Sequence, residues 1–174
     1  GEARLHCWGE EAGGRSAPPR GNFEALAVGD ASACARAPDR RLACWGDGGQ
    51  GRTMPPPIAV DSFALGDRHG CALAERRVIC WGDNSRGQSD APDDEHLHLS
   101  AGHRHTCGIR VGGAVDCWGD AAGARLDAPE GVYVDLSAGQ EHSCALALDG
   151  DLRCWGVAGM DGRLDAPGVE VLGI

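Results

Sequence analysis

The tripeptide Cys-Trp-Gly occurs five times, beginning at Cys7, Cys44, Cys80, Cys117 and Cys154, at intervals of 37, 36, 37 and 37 residues. All 5 tryptophans of the chain, Trp8, Trp45, Trp81, Trp118 and Trp155, lie on that period. The remaining cysteines, Cys34, Cys71, Cys107 and Cys144, keep the same spacing, each nine or ten residues ahead of the next Cys-Trp-Gly. Self-similarity with a period of roughly 20 to 50 residues marks a solenoid, propeller or array, and here it runs through essentially all 174 residues.

The clearest copy divides into three short runs: Val132 to Leu136, Ser143 to Leu148, and Asp151 to Gly156, with Asp149-Gly150 between the last two. None is long enough for a stable helix, and Asp-Gly between alternating runs is a hairpin signal. A loop rich in Gly and Asp, ending in Pro, leads to the next copy, as in Asp120 to Pro129. Each copy therefore reads as three strands.

Hairpin geometry then assigns the cysteines. If Cys144 faces Cys154, Ala147 faces Asp151 and the turn is Leu148-Asp149-Gly150, with Gly150 at the position that wants a left-handed backbone. The same register leaves Val111-Gly112-Gly113 between Cys107 and Cys117, Pro38-Asp39-Arg40 between Cys34 and Cys44, and two residues, Glu75-Arg76, between Cys71 and Cys80. The shorter interval thus falls in a turn, and cross-strand neighbours are close enough to be bridged. We expect disulfides Cys34–Cys44, Cys71–Cys80, Cys107–Cys117 and Cys144–Cys154, with Cys7 unpaired or bonded to another molecule. Zinc would need clustered cysteine pairs two to four residues apart, which are absent.

Composition narrows the function. The chain has no lysine, which excludes Schiff-base chemistry, a phosphate-loop lysine and a lysine general base. A formal net charge of −10 opposes binding to a phosphate backbone, so no nucleic-acid partner is expected. No apolar run approaches the roughly 18 residues that would span a bilayer. The N-terminus shows neither an initiator Met nor a signal core, as in a trimmed product. Nine cysteines, eight of them in hairpin pairs, point to an oxidising compartment: extracellular space, cell surface or periplasm.

The motifs Ser-Ala-Gly-x-x-His, a small residue, Cys and an apolar strand (Ser100 to Ile109, Ser137 to Leu146), followed by Cys-Trp-Gly-Asp and a Gly-containing loop (Trp81 to Gln88), resemble the repeats of the regulator of chromosome condensation family. The resemblance covers the whole chain, although Ser32 stands in the first copy where the others have His69, His105 and His142. It implies a β-propeller. The family's repeats are usually longer and its blades seven; copies this compact are more similar to secreted bacterial members, among them a β-lactamase-inhibiting propeller with three-stranded blades. The nucleotide-exchange activity of the founding member does not carry over, because the disulfides place this chain in another compartment.

The expected fold is therefore an all-β propeller of about five three-stranded repeats in a single domain, 1–174. The repeats are 10–46, 47–82, 83–119 and 120–156, with a fifth blade split between a third strand at 1–9 and a linker and first strand at 157–174. Five full copies would need 185 residues against the 174 present, and the shortfall falls on the Gly-x-x-His-x-Cys arm of the split copy, which would have held the partner of Cys7. Three explanations fit: a fragment of a longer propeller, an irregular five-bladed ring, or a blade completed by a strand from another subunit.

Each candidate site has a structural reading beside it. His69, His105 and His142 recur once per repeat; they could ring an axis, but the reading preferred is a hydrogen bond to backbone within each blade. His96, His98, His103 and His105 fall within ten residues, and His96 and His98 share a strand face by alternation, so the four form a candidate site for zinc, copper or nickel. Glu10, Asp47, Asp83 and Asp120 follow Cys-Trp-Gly and read as turn residues, since their spacing matches no calcium loop. The five tryptophans, Trp8 included, read as packing between blades. No nucleophile–base set, zinc-protease motif or dinucleotide loop is present, and no cofactor is expected. The function expected is thus non-enzymatic: a scaffold for a protein partner or for copies of itself, with the loops around Gly48 to Pro57, Asp83 to Glu95 and Asp120 to Glu130 presenting polar, Arg-rich surfaces. The alternatives are an inhibitor that caps an enzyme with one propeller face, and a metal-binding propeller using the histidine cluster.

Overall fold

The structure, a computed structural model, describes residues 5–9 and 12–157. Twelve strands within them form four separate three-stranded antiparallel sheets. The first holds β1 (Ala25–Val28), β2 (Ser32–Arg36) and β3 (Leu42–Gly46); the second, β4 (Ser62–Leu65), β5 (His69–Ala74) and β6 (Arg77–Gly82). The third holds β7 (His96–Ala101), β8 (His105–Arg110) and β9 (Val115–Gly119); the fourth, β10 (Tyr133–Ala138), β11 (His142–Ala147) and β12 (Leu152–Gly156). Each sheet is a meander whose strands follow chain order. The chain is an all-β propeller, and each sheet is one blade.

Two turns shape a blade. The first is Gly-x-x-His or Gly-x-x-Ser, closed by a hydrogen bond from the glycine N–H to the carbonyl of the fourth residue: Gly29 to Ser32 at 2.8 Å, Gly66 to His69 at 2.9 Å, Gly102 to His105 at 2.9 Å and Gly139 to His142 at 2.8 Å. Glycine is needed here because a Cβ on Gly66 would lie 2.3 Å from the carbonyl oxygen of Gly102 and 2.5 Å from the ring of its own His69. The inner strands are thus allowed to approach one another from blade to blade.

The second turn joins the disulfide strands. Gly113 and Gly150 take φ of 91° and 93° at the last turn position, and Arg40 occupies the same position at 67°. The two-residue turn of the second blade puts both Glu75 and Arg76 at positive φ, 51° and 67°, the geometry whose twist suits adjoining strands. Cys34 and Cys44, Cys71 and Cys80, Cys107 and Cys117, and Cys144 and Cys154 stand directly opposite in the ladders, and each pair is disulfide-bonded.

No blade has a core of its own, because one thin sheet cannot bury both faces; the cores lie between blades. Trp81, Leu65 and Val60 of the second blade pack on Cys34 and Cys44 of the first. Trp118 and Leu99 pack on Cys71, Leu73 and Cys80. Trp155, Tyr133 and Leu136 pack on Cys107, Ile109 and Cys117. Every disulfide of the first three blades is thereby covered by the tryptophan of the next. Each indole N–H of these blades, and that of Trp45, donates to a loop carbonyl: Trp45 to Arg15, Trp81 to Arg52, Trp118 to Gln88 and Trp155 to Arg125, at 2.9–3.1 Å.

The expected split blade falls mostly outside the described residues, including Glu10 and the whole of 158–174. Its described part, Leu5 to Gly9, forms no strand, since no described strand lies alongside to hydrogen-bond with it. Leu5 and Cys7 instead pack on Ala33, Ala35 and Trp45 of the first blade.

Candidate functional site

Two kinds of surface matter: the closed junctions between blades, and the outer faces of the first and fourth blades, which no described blade covers. At the second junction His69 Nε2 lies 2.7 Å from Thr106 Oγ1, and Thr106 donates to the carbonyl of Gln88 at 3.3 Å. With that hydroxyl proton committed to Gln88, the imidazole N–H is the donor to Thr106. At the third junction His105 Nε2 lies 2.8 Å from Ser143 Oγ. His69 and His105 therefore bond to a hydroxyl of the following blade, not to backbone of their own as the sequence reading preferred. The Gly-x-x-His turn aims the ring outward over its glycine, where the next blade is the nearest polar partner. Burial, with the neighbouring His105 adding to it, lowers the His69 pKa to about 4 despite Asp67 and Asp83; burial followed by Arg125 and His142 lowers that of His105 to about 4. Both rings are neutral near pH 7.

The histidine cluster does not converge. A β-bulge between His96 and His98 breaks the alternation that would have put them on one face. His96 is fully buried, edge-on to Trp118 at 5.9 Å, with Nδ1 2.9 Å from the carbonyl oxygen of Asp94. It fills the place that Tyr133 holds in the next blade. His98 points outward to Asp135 of that blade, 3.5 Å away, His103 pairs with Asp67, and His105 is bound to Ser143. Among the described residues no group of three or more His, Cys, Asp or Glu side chains could hold a metal ion.

The acidic residues after Cys-Trp-Gly make turns. Asp47 accepts from Gly49 N–H at 2.8 Å, Asp83 from Ser85 N–H at 2.9 Å, and Asp120 from Ala122 N–H at 3.1 Å. For Asp47 and Asp120 that bond leads, with Arg52 and Arg125 respectively, in lowering the carboxyl pKa. At Asp83 burial works the other way, and the Ser85 N–H and hydroxyl outweigh it. The loops do not present these arginines as a binding surface: Arg52 and Arg125 are buried, folded back toward Asp47 at 3.7 Å and Asp120 at 3.2 Å. Arg86 of the intervening loop is exposed.

On the outer face of the first blade, Leu26 is 53% and Val28 69% exposed, whereas Leu65, Leu99 and Leu136, at matching positions of later blades, are at most 9% exposed. Trp8, expected between blades, is 89% exposed, and among the described residues no second strand stands beside Cys7 to carry the surface it would cover. A cavity of about 360 Å³ opens here, lined by Cys7, Trp8, Leu26, Val28, Ala33 and Trp45 among others. Cys7 is a free, half-buried thiol. The four hydroxyl, glycine and alanine positions preceding the second-strand cysteines were passed over in the sequence reading; only the alternation of Ala33, Gly70, Thr106 and Ser143 beside the recurrent histidines could have signalled them.

The sequence pattern of the regulator of chromosome condensation (RCC1) repeat matches residues 60–88 and 133–157. The matched residues lie in the second and fourth blades. In structure the chain is similar to the entire ectodomain of the Physcomitrella patens receptor kinase CR4, with 26% identity and a TM-score of 0.76 over 92% of this chain and 48% of the other. It is similar to the CRINKLY WD40 ectodomain of the Arabidopsis thaliana receptor kinase ACR4, with 26% identity and a TM-score of 0.66 over 78% and 50%. Prp20p of Saccharomyces cerevisiae, a protein described with its binding to Gsp1p and histones, shares the fold at 18% identity, with a TM-score of 0.66 over 78% and 44%. The chain thus spans about half the length of these structures. No curated protein sequence matches it. No helix among the described residues is long and apolar enough to cross a membrane.

Proposed function

We propose that this RCC1-type propeller is a non-enzymatic protein-interaction scaffold of an oxidising compartment, and that a protein partner completes the surface beside Cys7 by adding a strand. The observation that carries the reading is the uncovered inner strand of the first blade. Leu26 and Val28 offer to solvent the apolar surface that Leu65, Leu99 and Leu136 bury at matching positions of the other blades, next to an exposed Trp8. A contiguous apolar surface of this kind is a mark of an interaction site, and large aromatic side chains dominate such contacts. A strand laid against it would gain backbone hydrogen bonds as well as apolar burial, and a cysteine on that strand would meet Cys7. Four disulfides support an oxidising compartment, as does similarity to two receptor-kinase ectodomains.

The test is the mass of the natively isolated protein in non-denaturing conditions, for wild type and for the double variant Leu26→Asp, Val28→Asp. The reading expects a wild-type assembly, homomeric or heteromeric, that the double variant dissolves while its four blades stay folded. A wild type that runs as a lone chain, or an assembly indifferent to the two aspartates, overturns it.

A further inference from the structure

We infer that the third and fourth blades together bind a segment of a partner protein in which apolar residues stand between basic ones, on the surface formed by Leu97, Val111, Val132 and Val134. The inference rests on reading the chain as a protein-interaction scaffold, but on a different surface from the one beside Cys7. Its basis is a pair of bulges. The ladder between β7 and β8 passes from His96 opposite Arg110 to His98 opposite Ile109, and that between β10 and β11 from Tyr133 opposite Ala147 to Asp135 opposite Leu146, so Leu97 and Val134 are each the extra residue. A residue of this kind leaves the ladder, and its side chain is re-aimed. Both turn to solvent: Leu97 is 56% and Val134 51% exposed. Leu97 keeps that exposure, and Val111 48%, with the fourth blade packed against the third, so the bulge and the turn, not a missing neighbour, leave these positions open.

The four residues adjoin across one closed junction, at the end of the blades that carries the disulfide-hairpin turns. His98, beside Leu97, lies 3.5 Å from Asp135, beside Val134. The turn that holds Val111 is tied to both inner strands: Val111 N–H donates to the Glu95 carbonyl at 2.9 Å, and Tyr133 N–H donates to the Gly113 carbonyl at 2.8 Å. Gly113 sits so close to Val132 that a Cβ there would lie 2.6 Å from Val132 Cγ1. The first two blades carry carboxylates instead. Glu24 and Asp61 stand where the later blades have Leu97 and Val134, paired with Arg36 and Arg40, and Glu75 stands where the third blade has Val111. The apolar surface thus belongs to two blades and not to the framework that all four share, as expected of an interaction site.

The rim decides the charge of the partner. Asp93, Asp94 and Glu95 lead into β7, Glu130 precedes β10, and Asp135 follows Val134. The arginines beside them are already engaged: Arg76 with Glu95 at 3.5 Å, Arg110 with Asp116 at 3.0 Å and Asp94 at 3.8 Å, Arg77 with the Asp93 carbonyl, and Arg153 with Asp149 at 3.5 Å and Asp151 at 3.8 Å. Carboxylates outnumber these cations, so the rim is negative. Charge complementarity selects a basic segment, with Lys or Arg on the rim and its apolar side chains on the patch. A second copy of this chain is the wrong occupant, because the chain has no lysine and a formal net charge of −10.

The test titrates the full chain with short synthetic peptides of equal length, in which Lys alternates with Leu, Glu with Leu, or Lys with Ser. Calorimetry gives the affinity, and the methyl signals of the chain show where the peptide sits. The Lys–Leu peptide is expected to bind and to shift the methyls of Leu97, Val111, Val132 and Val134, with the other two peptides at least about tenfold weaker for want of complementary charge or of apolar burial. Leu97→Ser with Val134→Ser should weaken the Lys–Leu peptide about tenfold, whereas Leu26→Asp with Val28→Asp should leave it unchanged. Both substituted residues of the first pair are exposed, and the wild-type methyl map stands without either variant. A loss in the Leu26–Val28 variant instead would put the contact beside Cys7 and overturn this inference while leaving the scaffold reading intact. Equal binding of the three peptides, no binding of the Lys–Leu peptide, shifts centred on other methyls, or self-association of the chain through Leu97 and Val134 would each overturn it as well.

Discussion

Acidification should loosen the blade junctions before it affects anything else in the fold. His69 and His105 have folded-state pKa values of about 4, against 6.5 for the free side chain. The unfolded chain takes up a proton at each as pH falls through 6.5, while the folded chain refuses it until pH nears 4. Their contribution is therefore fully present above pH 6.5 and is lost as pH falls toward 4. For a shift of this size the linkage relation gives a loss of about 2 kcal/mol per histidine between pH 7 and pH 5, or about 4 kcal/mol for both. The lowered carboxyl pKa values of Asp47, Asp83 and Asp120 act in the same direction, but their contribution is lost only below the ordinary carboxyl value of 3.8. The window from pH 7 to pH 5 thus isolates the histidines. The assay is urea unfolding with the disulfides intact, at pH 7, 6 and 5, for wild type and for His69→Gln and His105→Gln. Each glutamine keeps a donor for the hydroxyl and cannot titrate, so each should remove about half of the pH dependence. A wild type equally stable at pH 7 and pH 5, or variants with an undiminished slope, would refute the reasoning.

Other perturbations test neighbouring parts. Thr106→Val should cost about 1 to 3 kcal/mol in the same unfolding assay, since it leaves His69 Nε2 buried opposite a methyl group. Gly102→Ala should destabilise by more than about 2 kcal/mol, because its Cβ would stand 2.3 Å from the Gly139 carbonyl oxygen and 2.5 Å from the His105 ring; a thermal midpoint unchanged from wild type would count against the close approach of the inner strands. Replacing Glu75-Arg76 with Asn-Gly should stabilise by about 1 kcal/mol, since both positions sit at positive φ and the residues now there make only exposed side-chain contacts.

What the sequence discloses here follows from distance along the chain. The cysteine pairs, the Gly150 turn and the two-residue Glu75-Arg76 turn are local events, fixed by the register of one hairpin, so counting residues suffices to place them. The junctions are not local. His69 reaches Thr106 and His105 reaches Ser143, 37 and 38 residues away, and within a single copy the hydroxyl reads only as a small residue beside a cysteine. The bulge at Leu97 is invisible for another reason: one extra residue flips His98 to the solvent side while His96 stays buried, and nothing in His-Leu-His announces it. Trp8 shares its motif with four buried tryptophans, but burial is conferred by the neighbouring strand and not by Cys-Trp-Gly itself. Arg52 and Arg125 look like surface charges by residue type, yet each folds back on the aspartate that opens its own loop.

The measurement that tests the scaffold account most directly is a disulfide map of the protein isolated from its native compartment, alkylated without reductant and digested. The account predicts Cys34–Cys44, Cys71–Cys80, Cys107–Cys117 and Cys144–Cys154 within the chain, and Cys7 linked to a cysteine peptide from the strand that covers Leu26 and Val28. Nine alkylated cysteines, or Cys7 bonded to a cysteine of one of the four hairpins, would contradict it.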